Sequence, residues 1–296
     1  LTLVMVSRRD LFLGAAAVAA AGCAQSGGRP QSGAQITKAV LISMLPKGVP
    51  YEERFQIAKA AGFTAMEAQT VKDDDEAKLI AAAAEKTGLR IHSVMNMEHW
   101  AHPLSSPDPA DLDASVAGME ASLRQAKIYG ADAVLLVPGV VRDDTTYEQA
   151  WERSMKVIRE RILPVAEQND VVVAMEEVWN KFLLTPRDFV QYVDEFNHPL
   201  VKAYFDVGNV VHYGVPQHWI DALGDRIVKV HLKDYSRQAG FVNLGDAGEG
   251  GVEWPKVRQA FDNIGYEGYA TVELKGGDQA YLADVAQRVD KLLALS

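Results

Sequence analysis

Four apolar runs late in the chain each end in a side chain able to bind a metal ion: VVVAMEE at Glu176, VKAYFD at Asp206, RIVKVHLKD at His231 and YATVEL at Glu273. A carboxylate or imidazole closing a strand written in Val, Ala, Leu and Tyr is costly to bury alone. One shared divalent cation offsets that cost for all four. Glu176 and Asp206 are 30 residues apart and Asp206 and His231 are 25 apart, each interval long enough for a strand, a crossover helix and the next strand. Parallel strands joined in this way bring their C-terminal ends side by side. Taken singly, each residue would be an ordinary loop start; in successive units they predict one metal site. The pair Glu176-Glu177 supplies two candidates for the first ligand, because neighbours on a strand face opposite sides and only one can face inward.

The elements that must position these residues alternate along the whole chain from Ile36. An apolar run at 38–45 is followed by a helical stripe through Phe55, Ala58 and Ala61, which Gly62 stops. A second run, Phe63 to Ala68, leads into a helix through Lys78 to Thr87, and a third, Leu89 to Met95, into a long helix over Pro109 to Tyr129 ended by Gly130. A fourth strand at 133–138 precedes a helix predicted over Tyr147 to Gln168. The ligand-bearing runs are then separated by helices near 186–196, 216–223 and 254–264, with a last helix from Gln279 to Leu295. Eight strand–helix units predict a single α/β domain, a (β/α)8 barrel with its active site at the C-terminal strand ends. After the first strand the chain reads MetLeuProLysGlyValPro, which carries no GxGxxG phosphate turn of a doubly wound sheet.

Composition is that of an ordinary globular protein, 48% hydrophobic and 24% charged over 296 residues. The formal net charge of −10 and the lack of a basic patch argue against a nucleic-acid partner.

The N-terminal residues read as an export signal rather than part of the fold. Arg8-Arg9 stand before the apolar run LFLGAAAVAAAG, too short for a membrane span and resembling a twin-arginine signal over residues 1–24. Two processing routes fit the end of that run: cleavage near Ala24, or lipidation at Cys23, the only cysteine, in a box with Ala20 where a larger aliphatic residue is more usual. The first residue is Leu1, and Met5 is a candidate start. Residues 25–35, rich in Ser and Gly, form a tether ahead of the barrel at 36–296. The expected location is therefore periplasmic, free or held to the membrane by a lipid. A mature chain processed in this way contains no thiol for a disulfide or for catalysis.

The stretches HSVMNMEHWAHPLSSPDP (92–109), ADAVLLVPGVV (131–141), MEEVWNKFLLTP (175–186), YFDVGNVVHYG (204–214), VHLKD (230–234) and GEGGVEWPKVRQAFDNIGYEGYATVEL (248–274) resemble the xylose isomerase-like TIM barrels, the sugar phosphate isomerase/epimerase family. The resemblance covers the whole mature chain and implies one divalent ion, manganese, magnesium or cobalt, with zinc an alternative, held by Glu176, Asp206, His231 and Glu273. It further implies that Glu176 and Glu273 combine metal binding with proton transfer. Glu176 matches the family's Glu-x-Val-Trp-Asn-Lys form, and Glu177 the Glu-Val-x-Asn spacing of the ketose epimerases; Glu176 is preferred.

Shifting or inverting a centre beside a carbonyl requires removing a weakly acidic C–H proton and stabilising an enediolate. A divalent ion and two carboxylates suit that task. The expected activity is that of a metal-dependent isomerase or epimerase of a small carbohydrate. A 3-keto-glycoside lyase using the same site and a non-catalytic exported sugar-binding lipoprotein are the alternatives, and a homo-oligomer is compatible with all three.

Expected substrate contacts are His99 and Trp100 on the loop after the third strand, Asn180 and Lys181 after the first ligand, Asn209 after Asp206, and Asp234 after His231. Glu67, ending the second strand, is assigned a structural role, and His198 and His218 the surface. Asn209 replaces a His found in many relatives. Too few His ligands remain for the multinuclear cluster of the metal-dependent apurinic endonucleases. Export favours a free sugar, keto-sugar or oxidised glycoside over a sugar phosphate, and Asp246 and Glu249 make the run 245–251 a poor anion cradle.

Overall fold

A computed structural model describes residues 34–294; the twin-arginine signal, Cys23 and nearly all of the tether lie outside the described residues. Eight parallel strands close into one barrel: β1 (Gln35–Leu41), β2 (Ala65–Gln69), β3 (Arg90–Met95), β4 (Ala133–Leu136), β5 (Val172–Glu176), β6 (Val201–Asp206), β7 (Ile227–Leu232) and, after a small antiparallel hairpin of β8 (Asp234–Ser236) and β9 (Gly240–Val242), β10 (Glu267–Val272). Each strand pairs with its neighbour in sequence, and β10 closes the ring on β1. Around them lie α1 (Tyr51–Ala60), α2 (Asp74–Thr87), α3 (Pro109–Tyr129), α4 (Tyr147–Val157), α5 (Leu163–Asn169), α6 (Pro186–Phe196), α7 (Pro216–Leu223), α8 (Trp254–Ile264) and α9 (Gln279–Leu292).

The helix starts follow local chemistry. Asp73, Asp108, Thr185 and Asp278 accept from the first-turn amides of α2, α3, α6 and α9, and Thr146 forms a reciprocal capping box with Gln149 at α4. Several boundaries depart from expectation, β4 ending at Leu136 and α2 beginning at Asp74 among them. The continuous helix predicted over 147–168 is two helices joined by a π turn at Ile158–Ile162. Pro164 has no amide hydrogen to return to the preceding turn, and the widened turn absorbs that loss. The first apolar run ends as strand at Leu41 and continues as a 3-10 turn, and α9 stops at Leu292.

Two one-residue register slips matter for the site. Met66 pairs with Ile91 but Glu67 with Ser93, so His92 has no partner on β2. Consecutive residues His92 and Ser93 consequently both turn into the barrel, where His92 bonds Thr271 and Ser93 bonds Glu67. A similar slip leaves Val228 unmatched between β6 and β7 and brings Asp206 opposite His231.

Candidate metal centre

The four residues that end their strands in the sequence meet at the C-terminal mouth of the barrel. One ligand atom from each of Glu176, Asp206, His231 and Glu273 lies within 4.8 Å of the others. His231 Nδ1 is 2.9 Å from Glu176 Oε1, 3.2 Å from Glu273 Oε2 and 3.8 Å from Asp206 Oδ2. Asp206 and His231 are fully buried and Glu176 nearly so, whereas the Glu273 side chain is 28% exposed. Glu273 is thus the ligand candidate most open to an incoming molecule. Glu176 is the member of its pair that joins the cluster. Glu177 turns outward, where Oε1 accepts from the Asp206 amide at 2.9 Å and Oε2 is buried without a partner.

An ion fits this donor set. Asp206 Oδ2 is buried without a hydrogen-bond partner, with the Lys233 ammonium 3.0 Å and His231 Nδ1 3.8 Å away. Three carboxylates and one imidazole form the mixed oxygen and nitrogen shell suited to manganese, magnesium, cobalt or zinc.

The second nitrogen of His231 is held from below. Nε2 lies 2.6 Å from Glu67 Oε2, and Ser93 Oγ donates to the other Glu67 oxygen at 3.1 Å. Burial opposes its charge, yet the carboxylates around it, Glu67, Glu273 and Glu176 among them, hold the His231 imidazole well above its ordinary value. With Nε2–H given to Glu67, Nδ1 is the nitrogen that would give up its proton to an ion, a carboxylate–histidine pairing that fixes the ring angle. The chain of contacts continues from Ser93 to Tyr204, Thr271 and His92 through the barrel interior. Glu67 is therefore more than the structural residue expected of it. Its signal was present in β2, AMEAQ, where a carboxylate interrupts an otherwise apolar strand. Glu67→Gln is expected to lower divalent-metal affinity about 10- to 100-fold, because an amide can donate as well as accept and no longer fixes the tautomer. Competition titration against a chelator reads this.

Electrostatics separate the two carboxyls facing the cleft. Burial raises the Glu176 carboxyl to about 7 despite His231 beside it. Burial also acts to raise Glu273, but His231 and Lys233 prevail and hold it well below the usual carboxylate range. Lys233, not singled out in the sequence, has Nζ 2.5 Å from Glu273 Oε2 as well as 3.0 Å from Asp206. Burial opposes its charge, yet Asp206, Glu273 and Glu176 hold its ammonium firmly protonated. Gly208 makes room for it: a Cβ there would lie 2.7 Å from the Lys233 carbonyl oxygen.

Of the expected substrate contacts, His99, Trp100 and Asn209 line the cleft with Glu176 and Glu273. Asn209 is anchored by its amides to Asp206 Oδ1 and the Glu177 carbonyl. His99 is buried with Nδ1 unpartnered, and burial lowers its imidazole to about 4 although Glu273 pulls the other way. The unfolded chain gains a proton at His99 as the pH falls below 6.5, and the folded one does not until about 4. This residue therefore removes stability on acidification across that window, up to about 3 kcal/mol. His99→Gln is expected to flatten that part of the stability-against-pH curve, read by urea unfolding at pH 7 and pH 4.5.

The other three expected contacts lie outside the walls of this cleft. Asn180 commits its amide to the Gly139 carbonyl and the Phe182 amide, tying the loop after β5 to that after β4. Lys181 is exposed with φ 62° and stands outside the cleft. Asp234 faces the other way: its carboxylate accepts from the amides of Tyr235, Gly245 and Val252 and from Trp254 Nε1, organising the glycine-rich loop. The sequence missed the aromatic rim. Trp179 stacks on Phe241 at 4.8 Å and packs against His212 and Tyr235. His218 is exposed, and His198 is half-buried against Glu167.

Residues 55–292 match the family model of the xylose isomerase-like TIM barrel. L-ribulose-5-phosphate 3-epimerase UlaE of Escherichia coli K12 is 27% identical over 254 residues, 81% of this chain and 87% of that protein. Among solved structures, D-psicose 3-epimerase from Clostridium cellulolyticum H10 superposes with a TM-score of 0.68 at 18% identity over 88% of this chain and 98% of that one. 3-keto-D-glucoside 4-epimerase YcjR from E. coli superposes with a TM-score of 0.70 at 14% identity, covering 88% of this chain and 99% of that one. At these identities the structural likeness is one of fold.

Proposed function

The chain belongs to the xylose isomerase-like TIM barrels, and from that premise we propose that it is a divalent-metal-dependent epimerase or isomerase of a non-phosphorylated keto-sugar. The observation that carries this reading is geometric: Glu176 and Glu273 are walls of one cleft, and one ligand atom from each of them, Asp206 and His231 lies within 4.8 Å of the others. Two carboxyls sharing one cleft in this way are suited to act as acid and base on a substrate between them.

Glu176, Asp206, His231 and Glu273 would hold the ion, which when bound would polarise the carbonyl and neighbouring hydroxyl of the sugar. Glu273, ionised and open to the cleft, takes the proton from the carbon beside the carbonyl. Glu176 returns a proton to the enediolate from the other side. Lys233 adds a fixed positive charge where negative charge develops. His99 and Trp100 supply a ring nitrogen and an aromatic face for the sugar.

The curated relatives act on a sugar phosphate, but the cleft walls offer one cation, Lys233, already paired with Asp206 and Glu273. That favours an uncharged substrate. An export signal at residues 1–24 fits such a substrate, and cell fractionation of the tagged chain tests the location. The test of the activity is deuterium uptake at the carbon beside the carbonyl in a panel of ketoses and 3-keto-glycosides, with manganese present. No uptake from any member, with binding intact, would leave a sugar-binding protein instead.

A further inference from the structure

Two cavities meet at the barrel mouth. One, of about 220 Å³, contains Glu176, His99 and Trp179; the other, of about 430 Å³, extends past Val242, Asn243, Lys275 and Tyr281; Lys233, Phe241 and Glu273 are walls of both. The larger cavity therefore begins at the carboxylate proposed to handle the proton, and whatever fills it lies beside the reacting sugar. The rim has the matching character. Of the seven large apolar side chains left exposed among the described residues, six (Met97, Trp100, Trp179, Tyr213, Val215 and Phe241) stand on segments that follow β3, β5, β6 and β7 at this one end. Such clustering of apolar surface marks a binding face.

From this we infer that the larger cavity is a subsite for a second sugar ring, so that the substrate is a keto-disaccharide rather than a monosaccharide; this rests on the sugar-epimerase reading above. A pyranose presents an apolar C–H face and a belt of hydroxyls. The cavity offers the Phe241 ring for the first, and Asn243, Lys275 and the Tyr281 hydroxyl for the second. An aliphatic group would leave the Lys275 and Tyr281 heads without partners on burial, whereas Asn243 already bonds the Leu244 amide and Asp284. A phosphate would find one cation of the wall not already ion-paired, Lys275, with Asp284 Oδ2 3.5 Å from Asn243 Nδ2.

Three probes share the reacting end of fructose and differ at carbon 6: D-fructose, isomaltulose, which carries a glucosyl ring there, and fructose 6-phosphate. Their binding to the full chain is measured calorimetrically with manganese present, beside Val242→Trp, which fills the larger cavity, and Phe241→Ala, which removes its aromatic wall. The expected result is isomaltulose bound at least about 10-fold more tightly than fructose, with the ratio falling towards one in both variants. Equal binding of the two sugars, failure of isomaltulose to bind, or an unchanged ratio in both variants overturns the subsite. Tightest binding of fructose 6-phosphate overturns it in favour of an anion site. Deuterium uptake is followed on the same samples: a preference for isomaltulose with no uptake in any probe keeps the subsite and removes the epimerase reading.

Discussion

Glu273→Gln is expected to lower the rate of solvent-proton exchange at least about 10³-fold while the barrel remains folded. The amide has neither the negative charge to accept a proton nor the affinity of a carboxylate for a divalent ion, so two losses combine: the base, worth about 10²–10⁴-fold by itself, and part of the metal shell. Its side chain is the most exposed of the four, so the substitution perturbs little packing. The Lys233 ammonium keeps Asp206 as an anionic partner at 3.0 Å. Turnover is measured at saturating metal, and folding by circular dichroism. Full turnover in this variant would remove Glu273 from the proposed chemistry.

The second large effect expected is that of chelation. Stripping the divalent ion should reduce exchange to background, with recovery on adding manganese or cobalt. It should also lower Tm by roughly 5–11 °C. An ion present at a hundred times its Kd contributes about 2.7 kcal/mol to the folded state, and a domain of this size moves about 2–4 °C per kcal/mol. The folded barrel should survive, because the cluster does not consist of unbalanced carboxylates: His231 and Lys233 lie among Glu176, Asp206 and Glu273. Activity unaffected by exhaustive chelation would contradict the metal reading.

Much of this arrangement was legible in the chain. Buried parallel strands read as short apolar runs, and a single polar residue at the end of each run marks the end facing the loops. For that reason Glu176, Asp206, His231 and Glu273 stand out in the sequence alone. Glu67 was harder to judge, because its partner His231 is 164 residues away and sequence spacing carries no information about opposite sides of a closed ring. Lys233 looks like any strand-end lysine until Gly208 is seen to admit it over Asp206. Asp234 and Asn180 show the opposite difficulty. A carboxylate or amide beside an active-site strand reads as a substrate contact, yet both are consumed by loop amides and carbonyls, which sequence does not display. The aromatic rim was missed because Trp179, His212, Tyr235 and Phe241 come from three different loops.

The hydrogen bond between Glu67 and His231 has a consequence for how the chain matures. Its two ends belong to the first and last quarters of the polypeptide, and they meet only when the ring has shut between β1 and β10. Long-range pairings of this kind form late, after the entropy of joining distant segments has been overcome. A partly synthesised chain, however much local helix it contains, therefore has no fixed imidazole to offer a cation. Ion capture becomes a reporter of completed closure, and a stopped-flow refolding experiment should see the slowest structural phase and the first tight uptake of manganese arrive together.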